Sequence, residues 1–464
     1  MRTVAGMRRG ALRKSVMGLR GDGTDLRFAI DVQNAERRSV RQTGCGHLLP
    51  YITKAIRSET VLSAAIFGMA GLAFAAANII LARTQAVDDY AIFTLVVAMV
   101  TLSAHLGLFG ADGVVNRHEV RLDLRMFLRL FCTVGPAAIL SGTLAVEYYG
   151  IGALLAALLS IAVASQALVL VGAAYLRSRQ EFGPSLLTVN SPGFIVLVVA
   201  FAAAVFGWQG ALVPVALFAG LMLMTASWSV VRIASRNPAS TGYTYNWREA
   251  IVFISITGSA QVLIQLERLV TPKLLTLEDL ATLGVVLAIV GPPFRLLQLS
   301  LGYVLLPKLR SAQDSVEKNA LIVREIAIAV SFLVPCWLLT WYLVPVLDRF
   351  FFGDKYPLSP ELILAAIVAG TAKALSGIAT ASVAGAASPR YLELTGIASW
   401  IGVIVSIAGA YAGAGFGLAG VVYGVSLGWF LRIVVAVVFV GRSLSDDAAR
   451  LAPAGAQAEE SRLS

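Results

Sequence analysis

Twelve apolar stretches, each roughly 18 to 26 residues long and separated by short polar loops, run from Val61 to Val440. As helices they are long enough to cross the ~30 Å hydrocarbon layer of a bilayer, where only helices or closed barrels satisfy every backbone polar group. The pattern predicts spans over 61–82, 91–112, 127–148, 152–175, 186–207, 212–232, 250–272, 281–306, 321–345, 361–385, 395–412 and 417–440. The fold class that follows is all-α, a polytopic membrane protein with twelve transmembrane helices. No loop between spans is long enough for a soluble domain.

Sliding the chain on itself by 190 positions brings Arg83 onto Lys273, Asp88 and Asp89 onto Glu278 and Asp279, and Ala91 onto Ala281. At a slightly different offset Gln166-Ala167-Leu168 falls on Lys373-Ala374-Leu375. Six spans separate the copies, an even number, so both enter the membrane in the same direction about an axis along the membrane normal. The expected organisation is a basic segment over 1–60, a first lobe over 61–232, a linker over 233–249, a second lobe over 250–440 and a tail over 441–464. Two pseudosymmetric six-helix lobes with a cleft between them are the architecture of alternating access.

The polar exceptions inside the spans locate the cleft. In the seventh span Thr257, Gln261, Gln265 and Arg268 follow at steps of four, four and three, which puts them on one helical face. The eighth span is expected to break at Gly291-Pro292-Pro293 and then presents Arg295 and Gln298. The tenth carries Lys373, Ser376 and Thr380 on one face. Charge at mid-membrane is costly, so Arg268, Arg295 and Lys373 are expected to look into a hydrated cavity or at a partner. Through the repeat, Asn78 is the counterpart of Arg268, His105 of Arg295 and Gln166 of Lys373. In the second span Thr94, Thr101, His105 and Asp112 share a face and extend the polar lining.

Composition and charge narrow the picture. Mean hydropathy is +0.78 and charged residues are 14% of the chain, against ~25% in soluble domains. The net charge of +10 does not point to nucleic acid, because the basic residues sort by loop. Of 37 Lys and Arg, 29 fall in or at the edges of the first sixty residues, the even-numbered loops and the tail, and four fall in the odd-numbered loops. Both termini are therefore expected on the cytoplasmic side. Residues 47–59 are expected to lie along the membrane as a short amphipathic helix. No metal-ligand cluster, phosphate loop or nucleophile and base arrangement is visible, so the expectation is a protein without cofactor, metal or catalytic chemistry.

A cavity with three cations and few carboxylates favours an anionic cargo, since Arg and Lys compensate phosphate charge and Arg does so bidentately. The runs Leu81-Ala82-Arg83, Asp88-Asp89-Tyr90-Ala91-Ile92-Phe93, Leu106-Gly107-Leu108-Phe109-Gly110 and Asn116-Arg117 resemble the first helices of bacterial oligosaccharide flippases, which handle O-antigen and exopolysaccharide. Leu305-Leu306-Pro307-Lys308-Leu309 and Phe351-Phe352-Gly353-Asp354-Lys355-Tyr356 add to the likeness. That family belongs to the multidrug/oligosaccharidyl-lipid/polysaccharide exporter superfamily, and the resemblance covers most of 60–440. Ala91 stands where the family usually has Gly.

The resemblance implies a MATE-like fold in the bacterial inner membrane and a polyprenyl-pyrophosphate-linked oligosaccharide moved to the outer leaflet for polysaccharide export. On it, Arg268, Arg295 and Lys373 hold the pyrophosphate while Thr257, Gln261 and Gln265 face the sugar. Glu267 and His105 are the candidates for coupling to H+ or Na+. Partners implied are the lipid-linked oligosaccharide, membrane lipids and the polysaccharide polymerase machinery. The alternatives are a cation-coupled multidrug exporter of the same superfamily and a lipid II-type flippase. A polysaccharide polymerase or ligase would need a large outer loop, which this pattern lacks.

Overall fold

Helix signals in the sequence set where each element begins. The computed structural model describes residues 59–235 and 245–463, apart from positions 119, 121, 123, 313 and 354. The expected basic segment up to residue 58, with most of its amphipathic stretch, and the middle of the linker lie outside the described residues. The helices of the first half are α1 (Glu59–Thr84), α2 (Val87–Gly107), the short α3 (Ala111–Arg117), α4 (Leu124–Glu147), α5 (Ala153–Ser178), α6 (Phe182–Phe206) and α7 (Leu212–Ser235). The second half contains α8 (Trp247–Leu274), α9 (Leu277–Ser311), α10 (Ser315–Phe351), α11 (Pro360–Ala386), α12 (Pro389–Gly413) and α13 (Gly417–Leu463).

Several starts carry side-chain caps that satisfy otherwise orphan N–H groups. Asn246 accepts from the Arg248 N–H at the head of α8, Asp314 from Glu317 at the head of α10, and Ser359 from Leu362 at the head of α11, with Pro360 in the first turn. Thr276 and Asp279 form a capping box that opens α9. The acidic doublets of the repeat thus fall in the first turns of α2 and α9, and the paired bases Arg83 and Lys273 in the last turns of α1 and α8. Each charge complements a helix dipole.

The repeat reappears in the helix boundaries. Thr84 and Leu274 close helices and Val87 and Leu277 open them, in register by the 190-residue shift. It also reappears in the packing: α1 lies on α6 as α8 lies on α12, and α5 on α7 as α11 on α13. The halves meet where α1 and α2 pack against α8 and α9, with α1 on α9 and α2 on α8 as the exchanged pair. Residues 59–464 form a single compact unit. This is a multi-pass membrane protein, all-α, with twelve long helices and one short one among the described residues.

Three expectations change. The helix expected over 91–112 ends at Gly107; Phe109 and Gly110 take positive φ (50° and 79°) and the chain restarts as α3. Asp112 therefore leaves the face of Thr94, Thr101 and His105. Gly110 is required at that corner, because a Cβ there would strike the Ala250 backbone of α8. The expected break at Gly291-Pro292-Pro293 is absent, and α9 runs unbroken through it. Prolines are tolerated within spans whose neighbours hold them in place, and here α11 closes on the next turn, with Gly370 against the Phe294 ring. Finally, α13 continues as helix through the expected tail.

Candidate functional site between the two halves

The exchanged packing brings Arg268, on the last turns of α8, against α1 and α2 of the first half. Its guanidinium lies 5.7 Å from the centre of the Phe74 ring and close to the buried Tyr90 hydroxyl. Tyr90 donates to Asn78 Oδ1 at 3.2 Å, and Asn78 Nδ2 donates to the Phe74 carbonyl at 2.7 Å. Asn78 and Arg268, equivalent in the repeat, thus meet around one tyrosine. The approach of Tyr90 to α9 depends on Gly284, where a Cβ would sit 2.8 Å from the hydroxyl.

Arg295, midway along α9, is an exposed residue whose charge is near enough to Arg268 for the two to repel. Among the described residues no ion pair involves it. Gln298, one turn on, is half-buried and packs on Gly377 of α11. Gly370 and Gly377 hold α11 tightly against Phe294 and Gln298, so Lys373, which lies between them on the same stripe, sits at the level of Arg295.

Lys373 faces a partner, one of the two placements expected of it. Its Nζ is 2.8 Å from Glu267 Oε1, with the carboxylate fully buried and the lysine side chain 17% exposed. Glu267 Oε2 has no hydrogen-bond partner among the described residues. A buried pair of this kind is retained only when each charge compensates the other.

The expected polar lining divides. Gln261, Thr380, Thr101 and His105 are half-buried and Thr257 is exposed, while Thr94, Gln166, Gln265 and Ser376 are buried. Several hydroxyls are spent on their own helix: Thr257 donates to the Phe253 carbonyl and Thr101 to that of Val97. His105 Nδ1 lies 2.7 Å from the Thr101 carbonyl.

Two features carried no spacing signal. Tyr90, buried beside Arg268, has Leu280 at the repeat-equivalent position, so the duplication gives no hint of its polar role. Arg432, recognisable only as a cation inside the last span, is buried in α13 and donates to Ser259 of α8 at 3.1 Å.

Contacts between the halves close both ends of this region. At the Gln85 end, Lys355 Nζ donates to the carbonyls of Ala82 (2.7 Å) and Gln85 (2.8 Å), and the Tyr356 hydroxyl donates to Ala82 (2.8 Å). These groups satisfy carbonyls left open by the end of α1, and the cation complements its dipole. Burial lowers the Lys355 pKa and raises that of Tyr356. Nearby, the Tyr149 hydroxyl donates to the Leu269 carbonyl at 2.9 Å, and Lys273 Nζ stands 4.2 Å from the centre of the Tyr148 ring. The Tyr149 pKa is pushed up to about 12, chiefly by burial. At the opposite end, Glu249 of α8 accepts from Arg117 at 3.0 Å and lies 3.1 Å from His118 Nε2. The ~330 Å³ groove there is remote from the cations.

No protein-family model matches the chain, and no curated protein matches it. Solved structures do. A multidrug resistance MATE family transporter of the MOP superfamily, in its outward-facing conformation, is 14% identical with a TM-score of 0.58, covering 85% of this chain and 98% of that one. The lipid II flippase MurJ, in an inward closed conformation, is 13% identical with a TM-score of 0.58, covering 84% and 91%. The MATE multidrug transporter DinF-BH, in complex with R6G, is 14% identical with a TM-score of 0.54, covering 84% and 95%. The chain has the fold of these proteins, as the twelve-helix, MATE-like expectation required.

Proposed function

We propose that the protein is an alternating-access transporter that moves a polyprenyl-pyrophosphate-linked oligosaccharide across the bacterial inner membrane. The observation that carries this reading is the pair Arg268 and Arg295: two guanidinium groups that repel one another at the junction of the halves, with no carboxylate paired to Arg295 among the described residues. Such a pair is stabilised by an anion between them, and a pyrophosphate offers one phosphate to each fork. Lys373 joins them only after leaving Glu267. The distribution of Lys and Arg places the Gln85 end outside and the Glu249 end, with both termini, in the cytoplasm. The two six-helix lobes rock about α1, α2, α8 and α9, and the polyprenyl tail stays in lipid.

The neighbours in fold support a second reading, a cation-coupled multidrug exporter, and the observation that favours it is the buried carboxylate of Glu267. A lipid II-type cargo would use the same guanidinium pair. Binding of a sugar-capped polyprenyl pyrophosphate and of a cationic rhodamine to purified protein separates the readings. For the proposed cargo, the lipid binds and R295Q weakens it at least about tenfold, while the dye neither binds nor competes. Dye binding that R295Q leaves intact, with no lipid binding, would replace the proposal with the exporter.

A further inference from the structure

We propose that Lys373 is an exchangeable counter-ion: it leaves Glu267 for the anionic headgroup of the cargo, and Glu267 takes one proton from solution as it does so. This rests on the reading of an anionic, lipid-linked cargo and names the residues that tie its binding to a proton. The geometry comes from three facts. Lys373 reaches Glu267 across the α8 and α11 contact at 2.8 Å, yet keeps part of its surface open. The glycines on either side of it hold its helix flat against α9 at the level of Arg295, which lacks an ionic partner among the described residues. Glu267 is fully buried and its other oxygen has no hydrogen-bond partner among the described residues, so it loses its one hydrogen-bonded cation when the ammonium turns away.

A lysine is suited to the role because its stem is long and its charge a point, free of the planar fork that fixes an arginine on one partner. An uncompensated buried carboxylate is strongly disfavoured, and protonation is the route that neutralises it. The balance is simple. The ammonium keeps its three protons and changes partner, one O–H bond forms on Glu267 with a proton from water, and release of the cargo reverses both.

The surroundings leave Glu267 as the group that responds. α8 packs against α2, α3, α9, α12 and α13, and meets α11 at Lys373. These carry Arg295 midway along α9 and Tyr423, Arg432 and Arg442 along α13, with Tyr90 near the start of α2, His105 in its last turn and Tyr411 near the end of α12. Arg268 is the adjacent cation on α8 itself. The carboxylates Asp88, Asp89, Glu278 and Asp279 sit in first turns, Glu393 lies one turn further into α12, Asp446 of α13 accepts from Tyr391, and Asp112 and Glu249 lie at the opposite end from Arg268.

The test is proton uptake on binding, followed with a pH dye in weakly buffered detergent solution. The probe is a polyprenyl pyrophosphate capped with one sugar, whose phosphates have no proton to exchange near neutral pH. Wild type is expected to take up about one proton per bound probe, with affinity weakening by up to about tenfold per pH unit as pH rises. E267Q should bind with no uptake and no such slope. The neutral pair E267Q/K373M, which leaves no buried charge to destabilise the fold, should bind at least about tenfold more weakly, again with no uptake. R295Q should bind weakly but keep one proton per bound probe. Binding by wild type without uptake, or uptake that persists in E267Q/K373M, overturns the exchange and leaves the cargo assignment standing. A wild-type protein that does not bind the probe overturns both.

Discussion

Arg268, Arg295, Lys373 and Glu267 show how the same residue type takes different roles through its neighbours. Arg268 is buffered by Tyr90 and the Phe74 ring, Arg295 stands open, and Lys373 is neutralised. The pair predicts an asymmetry. K373M alone strands the fully buried carboxylate of Glu267 and is expected to cost about 3–5 kcal/mol, whereas E267Q/K373M should recover most of that. Thermal unfolding of purified protein checks it: the single variant should melt well below the double. Equal melting temperatures would show that the ion pair is not what holds α8 to α11. The individual cations were legible in the sequence because charge inside a span is conspicuous. The partnership was not, since spacing fixes the face of a residue on its own helix and says nothing of how two helices 106 positions apart are turned towards each other.

At the scale of elements, the 190-residue shift predicted helix ends well, because they are written by local chemistry: the capping box at Thr276, acidic first turns and basic last turns. It failed where tertiary contact decides. Gly107 to Gly110 reads as apolar helix, but the chain turns there through positive φ and seats Gly110 on the Ala250 backbone of α8, where no Cβ fits. Gly291-Pro292-Pro293 reads as a break, and the packing of α11 on Phe294 overrides it. G110V is accordingly expected to destabilise by about 1–3 kcal/mol or more, through the positive φ and the clash together. Loss of monodisperse protein on size-exclusion chromatography, rescued by no change in detergent, is the expected readout. Wild-type yield from G110V would mean that the α3 and α8 contact is dispensable.

For the whole molecule, the proposed alternating access would break the contacts at the Gln85 end. K355M/Y356F removes three hydrogen bonds between the halves there without touching the cation cluster. In a background of A82C with native cysteines replaced by alanine, a membrane-impermeant maleimide added from outside should label the double variant several-fold faster than its K355/Y356 parent. Unchanged labelling would remove Lys355 and Tyr356 from any gating role. The duplicated architecture was legible from sequence, since two copies that fold alike must also pack alike, but which loop reaches across to which helix end was not.

Among the described residues, α12 and α13 pack backbone against backbone over several successive turns. A Cβ at Gly413, Gly420, Gly424 or Gly428 would run into the backbone of the opposing helix, and Ser406 bonds across to the Val425 carbonyl at 2.6 Å. Two rods fitted so closely have no freedom to slide or splay. They form a stiff spar, and a stroke that tilts one must carry the other by the same angle. Spin labels on the exposed positions Ile404 and Val434 should then report one unvarying separation through the whole cycle, a fixed ruler against which the travel of every other helix is measured.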